Sequence, residues 1–494
     1  VRRASHLLAA LALPMALGAC SLAPRTALPE PPVPPSWPVG DAYLAQAEDS
    51  LPILSYEQVF TDPRLQTLVE QALINNRDLR LAAANIAAAR AQVRATRGAQ
   101  FPEVGVSAGT TYRGVGGSGV PATGGGVGGN VGNGGAGGFG RGGMNYALQG
   151  GVSNFELDLF GRLANATQAE RERALATEAA ARTVRLGLVA DLAQAWARHA
   201  ADVELLRIAQ ATAANAQRSV ELTRKRLEGG VAPRTDLRQA EQVLLTAQGD
   251  VAEQTALIAQ DKNLVRLLVG AEVNPALLPT SMAEVNAAVQ PLAAGTRSEI
   301  LLRRPDVIEA EYRLRGADFD IGVARAQLFP AISLTGLLGL ASDSLSSLFD
   351  GDAFSYTAGA NLTAPLFDGG RRAANVDLTE AQRAAALATY ERTIQTAFRE
   401  VADALADQGT LDARLRAADA ATEAAADTAR LAEARYRGGV DSYLLSLDAQ
   451  RSLYAARRAE VAVRFALAAN RVTVYRVLGG DQATTNATAT TTPE

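Results

Sequence analysis

One pattern occurs twice in this chain. Gly229, Gly230 and Val231 are answered roughly two hundred residues later by Gly438, Gly439 and Val440, with Arg226 matching Arg435 and Ala240 matching Ala449. Further upstream, Ala99, Gln100, Phe101 and Pro102 are answered by Ala326, Gln327, Leu328, Phe329 and Pro330, each run closing a helical pattern and opening an alternating one. Each copy reads as helix, two strands and a long helical hairpin. A unit of this kind cannot bury its apolar face alone, so it reads as a stave in a larger assembly and not as a self-contained catalytic pocket.

With this duplication, 494 residues read as one intertwined, elongated body, not a string of globules. The formal charge of −4 and pI near 5.6 leave no electrostatic footprint for nucleic acid. Apolar residues make up 48% of the chain but aromatics only 5%, and much of the apolar content is alanine, which favours close helix-on-helix packing.

Arg2 and Arg3 followed by the apolar run Leu7 to Leu17 have the form of a signal peptide, too short to span a membrane. The run ends in Leu17, Gly18, Ala19 and Cys20, and the small residues before the single cysteine of the chain fit a bacterial lipoprotein signal peptidase. Cys20 is therefore the expected lipid-attachment site, with S-diacylglycerol and an N-acyl chain as the anchor and no disulfide in the mature chain. A buried, inert thiol is the plainer alternative. Ser21, in place of an aspartate, favours sorting to the outer membrane.

Residues 1–19 are thus read as signal peptide and 20–62 as a lipid-anchored tether. Its proline-rich part, from Pro24 through Pro38, has no packing of its own. The first repeat is placed at 63–270: a helix from Leu65 to about Gly98, strands at about 101–113 and 144–157, and a long hairpin with its tip at 229–231. Val104, Val106, Ala108, Thr110 and Tyr112 alternate with Gly105, Ser107, Gly109 and Thr111, as a strand with two different faces requires. The glycine-rich stretch 114–143 reads as a flexible loop. The helix that follows, ending near Leu227, predicts a rod of roughly 100 Å. A linker at 271–296 leads to the second repeat at 297–479, with strands at about 331–341 and 354–366 and a tip at 438–440; residues 480–494 read as a disordered tail. In the last long helix Leu387, Ile394 and Val401 recur every seventh residue, with Phe398 and Leu405 interleaved, as in a coiled-coil seam.

After the leader no segment is long and apolar enough for a transmembrane helix. If the strands cross a membrane, only a closed barrel satisfies their backbone groups, and four strands do not close one. An oligomer follows, each chain supplying four strands and two hairpins.

Leu302, Arg303, Arg304, Pro305, Asp306, Val307 and on through Glu311 resemble the outer membrane factors of tripartite efflux pumps, the TolC-like family, and its lipoprotein branch in particular. So do Asp320 to Ala326, Phe329 to Gly336, Glu156 to Gly161 and Pro365 to Gly370. Phe155 departs from the tryptophan usual there, and the glycine-rich loop is longer than usual. The resemblance implies an α+β membrane protein: a homotrimer whose twelve strands form one outer-membrane β-barrel, continuous with a long periplasmic α-helical barrel. It implies a passive exit duct for drugs or other toxic small molecules. Its partners would be a periplasmic adaptor protein and an inner-membrane transporter, commonly of the resistance-nodulation-division class. No catalytic residue, metal or soluble cofactor is implied.

The resemblance also marks site residues. Leu444, Asp448 and Arg451, spaced to share one helical face, match the family's periplasmic gate, where three aspartates around an axis narrow the passage and favour cations. The plainer alternative is a surface ion pair worth under about 1 kcal/mol. Tyr436 and Arg437 match residues that link helices near the same constriction; Glu228 and Asp236 both stand as partners in the first copy. The Gly229–Val231 and Gly438–Val440 turns suit adaptor docking, although reversing a helix already requires glycine.

His199, the one histidine after the leader, is no metal site by itself, and nearby Trp196 reads as packing. Tyr112 and Tyr146 fit an interfacial aromatic girdle. Two other functions fit parts of the pattern. A type I protein secretion duct shares the fold, though the lipoprotein start leans towards efflux. A lipid-anchored coiled-coil scaffold without a pore needs no strands. An enzyme does not fit, because the histidines and cysteines that usually converge on a catalytic pocket are almost absent.

Overall fold

The computed structural model describes residues 21–24, 31–34, 36–38, 40, 42–43, 55–113, 143–291 and 298–480, without the side chains of 113, 143 and 299. Cys20 and its leader, the bulk of the glycine-rich stretch, and residues 481–494 lie outside the described residues. Described in chain order are α1 (Tyr56–Val59), α2 (Pro63–Asn75), α3 (Arg77–Gly98), β1 (Val104–Arg113), β2 (Gly143–Leu157), α4 (Arg162–Glu228), α5 (Arg234–Val269), α6 (Met282–Ala288), α7 (Pro305–Ala326), β3 (Ala331–Ser342), β4 (Phe354–Thr363), α8 (Arg371–Arg437) and α9 (Tyr443–Val477). Short 3-10 turns lie at Pro275–Leu277, Ser298–Arg303 and Gly351–Ala353. The chain divides into two compact units, one taking in Val1–Ala27, Ala88–Ala174 and Tyr312–Leu387 and the other Leu28–Ala87, Leu175–Glu311 and Ala388–Glu494.

The first unit carries the sheet, antiparallel throughout in the order β1-β2-β3-β4. Because side chains alternate across a strand, the register sorts them into two faces. One face collects Val104, Val106 and Tyr112 from β1, Leu148 and Val152 from β2, Leu338 and Leu340 from β3, and Phe354, Tyr356 and Leu362 from β4. The other collects Gly105, Ser107 and Thr111, then Asn145 and Gln149, Ser333 and Thr335, and Ser355, Thr357 and Asn361. The apolar face stands in the open in one chain, with Val106 79% and Leu338 62% exposed.

Between Val152 and Phe155 the β2/β3 register shifts. Ser153 and Asn154 together oppose Thr335, and Asn154 takes a positive φ of 61°, the conformation that asparagine tolerates better than most residues. This bulge returns Phe155 and Leu157 to the apolar face, which unbroken alternation would not do.

Where strand becomes helix, polar side chains hold the corner. Glu156 accepts from Arg162 at 2.8 and 2.6 Å, Asp158 accepts from the Ala164 amide at 2.7 Å, and Phe160 stacks on Phe329 at 4.5 Å. At the second corner Asp368 accepts from Arg372, whose guanidinium also donates to the carbonyls of Pro365 and Gln327. These contacts account for the Glu156–Gly161 and Pro365–Gly370 motifs. Arg173 to Asp320 at 2.5 Å and Arg383 to Asp318 at 2.6 Å tie α4 and α8 to α7 within this unit.

In the second unit the seam read from the sequence is buried at Ile394, Val401 and Leu405 and half-buried at Phe398; Leu387, also half-buried, belongs to the first unit. Burial of each large aliphatic group contributes about 1.5–3 kcal/mol. Arg304, 8% exposed, forms ion pairs with Asp306 and Glu400 at 2.8 Å and donates to the Val477 carbonyl at 3.0 Å, a structural role for the Leu302–Val307 motif. Trp196 is fully buried and donates to the Leu277 carbonyl; His199 is buried, with Nδ1 3.2 Å from the Pro279 carbonyl.

Three expectations change here. The proline-rich tether does pack: Trp37 is buried and stacks on Phe398 at 5.0 Å, and the Pro34 carbonyl accepts from Ser298. The single helix expected from Leu65 to Gly98 is two, broken at Asn76. That side chain accepts from the Asp78 and Leu79 amides as a new N-cap and donates to the Leu268 carbonyl, which repays the interrupted helix. The expected 271–296 linker contains α6, whose neighbour Val289 bridges to Phe60.

Candidate gate at the hairpin tips

Both hairpin tips lie in the second unit and close in the same way. In the first, the amides of Gly229, Gly230 and Val231 donate to the carbonyls of Lys225, Leu227 and Arg226 at 3.0, 3.0 and 2.9 Å. In the second, Gly438, Gly439 and Val440 donate to Ala434, Tyr436 and Arg435 at the same three distances. This pattern, with a left-handed residue after the last turn, satisfies carbonyls that a helix end otherwise leaves unpaired. Gly230 at φ 73° and Gly439 at φ 76° are the left-handed residues, and a Cβ on either meets nothing within 4 Å, so their requirement is conformational. Val231 and Val440 are exposed at the tips.

The tips differ in what lies behind them. Tyr436 is buried with Val220, Ala240, Tyr443 and Leu447. Its hydroxyl is 3.5 Å from that of fully buried Thr223, and its ring packs against Tyr443 at 5.3 Å. Arg226 lies over the ring, 4.6 Å from its centroid, and donates to the Tyr436 carbonyl at 3.2 Å. The same carbonyl accepts from Gly439, so a guanidinium sits at the negative end of α8, where it is electrostatically favoured. Burial, and then Tyr436, push the Tyr443 hydroxyl up to about 12, so it stays a protonated donor. Arg435 pairs with Asp441 through Nε at 2.5 Å and Nη2 at 3.0 Å, which holds the Asp441 carboxyl below the usual range.

Leu444, Asp448 and Arg451 all lie on α9 with their side chains exposed. Among the described residues of one chain neither Asp448 nor Arg451 has an ion pair. Arg437 pairs with Glu433 one turn back on its own helix. The first-copy partners of Tyr436 are Thr223 and Arg226, and neither Glu228 nor Asp236 takes that place. Thr223 and Arg226 are the residues that sequence reasoning missed.

A family model described as outer membrane efflux protein matches residues 68–271 and again 296–480. The chain belongs to the outer membrane efflux protein family. The antibiotic efflux pump outer membrane protein ArpC of Pseudomonas putida is 38% identical over 467 residues, 94% of this chain and 93% of that one. The cation efflux system protein CusC of Escherichia coli is 35% identical over 466 residues, 94% of this chain and 97% of that one. The solved structure of a membrane protein from Pseudomonas aeruginosa, 36% identical, matches with a TM-score of 0.80 over 93% of this chain and 98% of its own.

An outer membrane efflux protein is a channel component and not an enzyme. No helix among the described residues is long and apolar enough to cross a membrane. β1 and β4 are strands of ten residues each.

Proposed function

We propose that three copies of this chain join their sheets into one twelve-stranded barrel in the outer membrane, and that solutes pass through it passively after entering at the hairpin tips. The observation that carries this reading is the sheet itself: one apolar face, one face of small and polar residues apart from Leu337, and two edge strands without neighbours among the described residues of a single chain. Unpaired strand edges are costly in hydrocarbon, and pairing β4 of one copy with β1 of the next removes both. The two-faced sheet favours a pore over a scaffold. The matching tips and the double family match support an internal duplication in which each half supplies two strands and a hairpin.

In this reading Asp448 of three chains forms a ring at the tip end that narrows the passage and favours cations, with Leu444 on the same face and Arg451 bridging to a neighbouring helix. Tyr436 holds the second tip against the first, and Arg437, paired with Glu433 on its own helix, stands beside the same constriction. The exposed tips, Gly229–Val231 and Gly438–Val440, dock a periplasmic adaptor, which connects to an inner-membrane transporter of the resistance-nodulation-division class. Related ducts are named for antibiotics and for cations, which supports leaving cargo choice to the transporter. Cys20 carries the lipid that anchors the chain.

Light scattering on the protein purified in mild detergent tests the assembly: a trimer is expected, and monomers alone contradict it. Mass spectrometry of the mature N-terminus tests the anchor, with a triacylated Cys20 expected and a free thiol contradicting it.

A further inference from the structure

Within the second unit α4, α5, α8 and α9 part to leave a cavity of about 300 Å³, at the small end of the range for small-molecule sites. Its apolar wall is made by Val243, Ala247, Ala426, Ala429 and Leu453, mostly short side chains that leave room instead of filling it. Its charged lining is almost all of one sign: Arg218, Arg430, Arg451 and Arg457 against Glu433.

Of the acids nearby, Asp448 one turn from Arg451 and Glu253 near Tyr454 do not line the cavity, and three others have partners. Glu433 pairs with Arg437, Asp427 with Arg430 at 2.5 Å, and Asp250 accepts from the Tyr454 hydroxyl at 2.6 Å. Arg218 donates to the Asn215 amide oxygen, which carries no charge. Among the described residues Arg218, Arg451 and Arg457 therefore line one cavity without a carboxylate for any of them. Like charges around a concave, partly apolar wall concentrate positive potential, and a guanidinium is built to grip a carboxylate through paired N–H groups.

We propose that this cavity is a binding site for a small aromatic carboxylate, its charge held by Arg218, Arg451 and Arg457 and its ring laid against Ala247, Ala429 and Leu453. The alanine wall selects the class, since a bare inorganic anion would leave it unfilled while a planar hydrocarbon covers it. The inference shares Arg451 with the proposed gate, so the variants are made at Arg218 and Arg457 and binding is read without conductance.

The test is a fluorescence titration of 2-naphthoate, beside neutral 2-naphthamide, into the full-length protein in detergent. Saturable binding of the naphthoate alone is expected, weakened about tenfold or more in Arg457→Gln and in Arg218→Gln and partly retained in Arg457→Lys. Equal binding of acid and amide overturns the proposal, as it reports apolar partition only. Unchanged binding in both glutamine variants also overturns it, and so does no binding to the natural protein, where a neighbouring copy would then close the cavity. Elution of each variant at the natural oligomeric size controls for folding, and the acid–amide comparison needs no variant.

Discussion

Arg226 covers the ring of Tyr436 at 4.6 Å and donates to that residue's own carbonyl, joining the end of α4 to the end of α8. One side chain thus meets a π-face and a helix terminus together, and the second tip is held against the first by contacts that need no acid.

Removing either half of this clasp is expected to loosen the tips. Arg226→Ala should cost about 1–2 kcal/mol and Tyr436→Ala, which empties the space of a buried ring, about 3–5 kcal/mol, and each should raise the fraction of time the channel stays open. Tyr436→Phe keeps the ring and loses only a 3.5 Å hydroxyl contact, so less than about 1 kcal/mol is expected. Thermal unfolding and single-channel open probability measure both effects. Equal losses in the phenylalanine and alanine variants would place the role in the hydroxyl and contradict the ring contact.

Gly230 and Gly439 should respond alike to substitution. No atom crowds a new Cβ at either position, so Gly230→Ala and Gly439→Ala are each expected to cost about 1–2 kcal/mol from the left-handed conformation alone. A matched fall in thermal midpoint is the expected result. A large loss at one tip only would show that something besides φ selects glycine there.

Acid should strengthen the α4/α5 hairpin. Asp261 is buried and hydrogen-bonded to Asp202. Burial first, then that hydrogen bond and the Asp202 charge, push its carboxyl up to about 7 against the opposing pull of Arg198. The native protein thus holds a proton that the unfolded chain, near 3.8, has released. The stability it brings is complete below the unfolded value and is lost as pH rises through about 7, with a slope of at most about 1.4 kcal/mol per pH unit. The thermal midpoint should fall between about pH 4 and about pH 7 and level off above that, and Asp261→Asn should flatten the profile. Parallel profiles for the two proteins would remove this carboxyl as the cause.

Local pattern carried much of this architecture. The alternation from Val104 to Tyr112 marked β1 and its apolar face, the Gly-Gly-Val pairs marked both turns, and the spacing of Ile394 and Val401 marked a buried seam. What escaped depended on contacts distant in sequence or on one-residue irregularities. The bulge at Asn154 adds a single residue to β2, which in sequence looks like one broken step of alternation. The break at Asn76 has no glycine or proline to announce it and rests on a carbonyl 192 positions away. Trp37 lies among prolines, yet its ring is large enough to bind that segment to Phe398. Acids flank the first turn, but which residues of α4 face α8 is set by the packing register of two long helices, and the Tyr436 ring meets a cation instead.

Single-channel conductance in a planar bilayer, comparing the natural protein with the Asp448→Ala, Arg451→Ala double variant, tests the central claim most directly. Small, cation-preferring openings that widen and lose part of that preference in the variant are the predicted result. Silence from both proteins, with trimers confirmed in the bilayer, would contradict the claim that this chain builds a gated passage.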